Sequence, residues 1–269
     1  MVGKLLIGGM IVGVLAGLIC FIFLKFAGEP SVDRAIAFEA RMEEAEANAA
    51  SHDMSITGKE TPGQAKAPEQ ELVSRPVQRG IGLLTGVVVY GTAFGGLFAL
   101  VFAVTYGRMG GLGPRSVAGL LALMGFVSVY LVPSIKYPAN PPAVGMSETI
   151  GPRTALYFAM IAISLAGMIA ASMLQRRLVR RFGTWDATLI AGVAYVAALA
   201  VVALLLPTVD EVPENFPAIL LWQFRIASMA AQFLMWSVIG LAFGRAAEAI
   251  LETGQSRVKG RDERLARVR

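Results

Sequence analysis

Six stretches of this chain, residues 5–24, 81–106, 117–135, 155–174, 189–206 and 219–243, are apolar over about the 20 residues that a helix needs to cross a bilayer. The predicted fold is therefore all-α: a polytopic membrane protein with five to six transmembrane helices and an outer amphipathic helix. The second run is the longest and is expected to tilt. The fifth stops at Pro207, and the sixth is interrupted by Gln223, Arg225 and Gln232. The first run could instead be a signal peptide. Lys25 on its far flank and the lack of a small-x-small cleavage site favour a retained span, and Ile19 before Cys20 spoils a lipoprotein signal.

Charge placement orients the chain. With six spans both termini share one side with loops 107–116 and 175–188. The second of these carries Arg176, Arg177, Arg180 and Arg181, and the tail 244–269 is rich in Arg. The opposite loop 207–218 has no Lys or Arg but has Asp210, Glu211 and Glu214. By the positive-inside rule the termini and the basic tail are cytoplasmic and the acidic loop faces outward. The net charge of +5 is thus spent on topology rather than on a nucleic-acid surface.

Segment 28–79 falls on the outer side. Val32, Ala35, Ile36, Phe38, Met42 and Ala45 recur at helical spacing over 31–50, among Glu29, Asp33, Glu39, Glu43, Glu44 and Glu46, which predicts an acidic amphipathic helix. From His52 to Gln70 the chain turns polar with Gly58, Pro62, Gly63 and Pro68, the composition of a flexible linker. Gly9, Gly13 and Gly17, then Gly82 and Gly86, Gly91 and Gly95, and Gly240 and Gly244 each stack on one helix face. Such spacing lets another backbone approach closely.

Few chemistries remain open. One Cys excludes a disulfide framework, and one His excludes a multi-histidine metal cage within the chain. No nucleophile–base pair or phosphate-cradling glycine loop is present, so neither an enzyme nor a bound cofactor is expected. No span contains Asp, Glu or His, which argues against an intramembrane carboxylate relay. The twelve methionines are scattered, as gap-fillers are.

Two groups of candidates are left. Arg225 is the one full charge well inside a run, at roughly 2.5–3.5 kcal/mol on insertion scales. It lies about 12 Å along a helix from Pro217, with Gln232 seven residues further on nearly the same face. The two either form a structural pair with the outer acids or line a polar path. Glu29, Asp33, Asp210, Glu211 and Glu214 are either solvated surface acids or ligands for a divalent cation. His52, Asp53 and Met54 are possible mixed ligands in the linker.

The residues also carry a resemblance. "GEPSVDRAIAFE", "SRPVQRGIGLLTGVVVYGTAFGGLFALVFAVTYGR", "YLVPSIKYPANPPAVG" and "PTVDEVPENFPAILLWQFRIAS", in this order, are similar to the CbtA family of predicted cobalt transporter subunits linked to cobalamin synthesis. The matching positions are Glu29, Asp33, Lys136, Tyr137, Asn140, Pro141, Pro142, Asp210, Glu211, Pro217 and Arg225. The resemblance implies uptake of Co²⁺ and a small one-span partner that brings histidines. It also implies five spans, one fewer than the runs counted above. Within this frame Pro138, Pro141 and Pro142 either stiffen a loop that holds Asn140 over an outer vestibule or merely set the distance between two spans. A non-transporting scaffold that stabilises a partner is the alternative function.

Overall fold

A computed structural model describes residues 1–57 and 73–268. The main helices are α1 (Val2–Ala27), α2 (Glu29–Thr57), α3 (Arg75–Thr105), α4 (Pro114–Lys136), α5 (Ile150–Leu205) and α6 (Ala218–Val268). No strand occurs among the described residues. Five helices are long and apolar enough to span a membrane: α1, α3, α4, α5 and the Ala218–Thr253 part of α6.

The fourth of these accounts for two of the six apolar runs. As a straight helix its 56 residues would reach about 84 Å, far beyond the ~30 Å hydrocarbon core. Instead the chain turns at Gly183, with φ 78° and ψ 172°, a conformation readily open only to a residue without Cβ. The arms then lie antiparallel, with the Ser164 and Tyr195 hydroxyls 2.7 Å apart and buried, and the Gln175 amide 3.5 Å from the Thr188 hydroxyl. The loop expected over 175–188 is thus almost entirely helical, since its Arg and Leu residues favour helix and one glycine suffices to reverse the chain.

The other spans form a tight bundle. α1 lies against α3 through Gly9, Gly13 and Gly17. A Cβ at Gly91 would stand 2.5 Å from the Gly13 carbonyl oxygen, and one at Gly17 2.8 Å from the Val88 Cα. The backbones therefore touch, as glycines four residues apart permit. α6 repeats the arrangement on α4, where a Cβ at Gly244 would meet the Arg115 Cα at 3.1 Å. Phe98, Phe102, Ile239 and Phe243 fill the centre, and the Phe102 and Phe243 rings meet edge-on at 5.1 Å. Gly86 takes no part and has open space around it.

Both chain ends of the bundle share one face. Gly8 of α1 packs near Ile250 of α6, and the α3–α4 turn and Gly183 lie at the same end. We call this the terminal face and its opposite the loop face. The loop face carries connector 137–149, loop 207–217 and α2. The apolar stripe of α2 meets both loops: Ala35 is fully buried, and the Phe38 ring meets Phe216 edge-on at 5.1 Å. α2 continues to Thr57, past the expected end at residue 50. From residue 58 to residue 70 the expected linker lies outside the described residues.

Candidate functional site

Connector 137–149 begins where α4 ends. Pro133 lacks an amide hydrogen and would clash with the turn before it; a wider π-helical turn over Phe126–Leu131 lies immediately upstream. Pro138, Pro141 and Pro142 keep the chain out of helix after Lys136, and Pro141 is buried. Ala143 is held at φ 67°, a left-handed conformation that costs an L-residue roughly 1–2 kcal/mol. Its neighbour Val144 is buried against Phe216 and Leu220, which fixes that shape. At Gly145, φ 113°, the Arg153 guanidinium occupies the place a Cβ would take.

The connector closes over Arg225. From α6, Arg225 Nη2 donates to Asn140 Oδ1 at 2.9 Å and Nε donates to the Ala139 carbonyl at 3.3 Å. Asp210 adds a favourable charge without direct contact. The cation that the sequence placed inside the sixth run is therefore half-buried and partnered, as insertion cost requires. Tyr137 ties the same mouth to the end of α5 by donating to the Pro207 carbonyl at 2.9 Å. Burial pushes the Tyr137 hydroxyl up from its ordinary pKa, so it stays a donor.

Below Arg225 a polar stripe descends along one face of α6. Ser228, Gln232 and Trp236 follow at three, seven and eleven residues, within about 80° of one another at 3.6 residues per turn. Ser228 Oγ lies 3.0 Å from the Tyr130 hydroxyl of α4, and Gln232 lies beside Tyr90 of α3. The Trp236 indole N–H is buried with no hydrogen-bond partner among the described residues, its ring edge-on to Phe94 at 4.8 Å. Tyr157 of α5 lies in the same region as Tyr130 and Tyr90. The result is a column of neutral hydroxyls and amides, headed by one arginine, leading from the loop face into the bundle.

The outer acids do not converge on this column as a set. Glu29 and Asp33 face Arg75 at 2.6 and 3.0 Å, with Arg79 3.7 Å from Asp33, and so staple α2 to α3. Glu211 is 8% exposed, pairs with Arg153 at 3.3 Å and accepts the Met146 N–H at 3.0 Å. Hydrogen bonds from Thr149 and Met146, with the charge of Arg153, hold its carboxyl below the ordinary carboxylate range. Asp210 and Glu214 are exposed. No group of three His, Cys, Asp or Glu able to hold a metal occurs among the described residues. The side chains of His52, Asp53 and Met54 lie outside them.

Arg225, Gln232 and Asn140 stand out in the sequence, whereas Tyr90, Tyr130, Ser228 and Trp236 do not. Spacing along α6 was a usable signal for Ser228. None existed for the tyrosines, which join through packing of other helices.

The family described as "Probable cobalt transporter subunit (CbtA)" matches residues 2–248. No curated protein and no solved structure matches the chain.

Proposed function

The chain belongs to the CbtA family of probable cobalt transporter subunits, and on that premise we propose that it is a permease subunit for Co²⁺ uptake across the cytoplasmic membrane, with its termini inside. The observation that carries this reading is the polar column of Arg225, Ser228 and Gln232 with Tyr130 and Tyr90, capped by the Asn140 connector. Exposed Asp210 and Glu214 gather the cation at the mouth. Glu29, Asp33 and Glu211 become ligands only when the ion displaces Arg75 or Arg153, and Asn140 only when Arg225 releases it. Arg225 repels a dication at the column head, so passage requires it to swing from Asn140 toward Asp210. A small one-span membrane partner supplies the imidazoles that a chain with one His lacks. The imported cobalt feeds cobalamin synthesis.

The test is ⁵⁷Co²⁺ accumulation in cells expressing the chain alone and with the histidine-bearing subunit, Ni²⁺ serving as competitor. Uptake that needs both chains and falls in Asp210→Asn supports the permease. Equal accumulation with and without the chain, both proteins being present in the membrane, defeats it. One observation favours a second reading, a non-transporting scaffold: three of the outer acids are already neutralised by arginines. The scaffold predicts that Asp210→Asn is silent while Gly86→Leu, at a glycine with open space around it, breaks a co-purifying complex.

A further inference from the structure

The α5 hairpin meets α4 mainly near the loop face, around Val127, Val132, Met160 and Leu199. Toward the terminal face the two separate and leave an open cleft of about 1370 Å³. Leu120, Met124 and Leu131 of α4 line one wall, and Met168, Gly192 and Val196 of α5 line the other. The walls lie at membrane depth and are overwhelmingly apolar, so water does not fill the space. Its terminal-face mouth is different. Arg108 and Arg176 stand there with Gln175, Thr184 and Thr188, two cations and three neutral hydrogen-bonding groups around an apolar slot. The Lys136 ammonium at the other end lies over the Tyr137 ring at 5.9 Å, so the paired cations mark one end alone.

We propose that this cleft is a binding site for an anionic phospholipid, its acyl chains between α4 and α5 and its phosphate between Arg108 and Arg176. Basic pockets between transmembrane helices at a membrane surface recognise such headgroups. The lipid completes the packing between hairpin and bundle, which the chain's own side chains leave open. This inference does not rest on the transported ion.

Native mass spectrometry of the purified full chain, titrated with phosphatidylglycerol or with phosphatidylcholine of the same acyl chains, tests it. Phosphatidylglycerol should bind at least tenfold more tightly. The Arg108→Gln/Arg176→Gln double variant, altered at exposed positions, should lose that preference, whereas Arg41→Gln on α2 should keep it. Gly192→Trp, whose side chain enters open space in the cleft, should reduce binding of both lipids with the arginines intact. Equal affinity for the two lipids, an unchanged preference in the double variant, or a copurifying polypeptide in place of lipid would each overturn the proposal.

Discussion

Where α1 meets α3 two backbones touch, whereas the α5 hairpin meets its neighbours through side chains, chiefly at the loop-face end of α4. The first contact leaves no gap between the two backbones. The second keeps a cleft open over much of its length. In lipid, helices gain little from burying apolar surface against one another, so close van der Waals contact decides which pairs are firm. By this measure α1, α3, α4 and α6 form a rigid frame carrying most of the polar column, and α5 is a loosely attached arm that closes its mouth through Tyr137 and Pro207.

The sharpest way to break the contrast is to widen the tight side. Gly13→Leu would drive a side chain into the α3 backbone, which cannot rotate away, and overpacking of this kind costs about 1–3 kcal/mol or more. Monodisperse folded protein in detergent should be nearly lost. The same substitution at Gly192, on the arm, should leave yield unchanged, since nothing lies within 4 Å of a Cβ there. Equal losses at both positions would erase the distinction.

A smaller effect is expected where frame and loop face meet. Arg225→Met removes both hydrogen bonds from α6 to the connector, while its apolar side chain suits the span. Cobalt accumulation should drop several-fold with little change in thermal stability. Retained transport would separate Arg225 from the path and leave it a structural pin.

Within the arm, Tyr195→Phe deletes the buried hydroxyl pair with Ser164. Interhelical hydrogen bonds in membranes average about 0.6 kcal/mol, so reversible unfolding in bicelles should shift by about that amount. A loss of folded protein like that of Gly13→Leu would make the arm as firmly packed as the frame.

The most local effect concerns Glu211. Its folded pKa lies below the unfolded value, so the stabilisation is complete above the unfolded value and is lost as pH falls through the folded one. Protection of the Met146 amide, taken against its intrinsic exchange rate at each pH, should therefore be high at neutral pH and fall below the ordinary carboxylate range. In Glu211→Gln the protection should be lower at neutral pH and should not respond to this titration. Protection at residues of the α1–α3 contact should not respond to it in either protein.

Much of the fold was legible in advance. The six apolar runs, the grouping of the Asn140 connector, the acidic loop and α2 on one face, and the apolar stripe of α2 all follow from patterns within short windows. The glycine pairs were legible as packing signals, though nothing in them distinguished Gly91, pressed on Gly13, from Gly86, which has open space around it. The candidate site was half visible: Arg225 and Gln232 stand out as polar residues in an apolar run, whereas Tyr90 and Tyr130 look like ordinary membrane aromatics.

By itself, then, the sequence determined how many apolar segments there are and which face each polar loop occupies. Transfer into lipid is a sum over consecutive residues and needs no knowledge of neighbours. Only the tertiary structure decided that Arg75 and Arg153 claim three of the outer acids, that Asn140 caps Arg225, and that Tyr130 meets Ser228. The last two contacts join residues 85 and 98 positions apart. A hydrogen bond or ion pair forms only at close range, and which partners reach that range is settled by how whole helices pack.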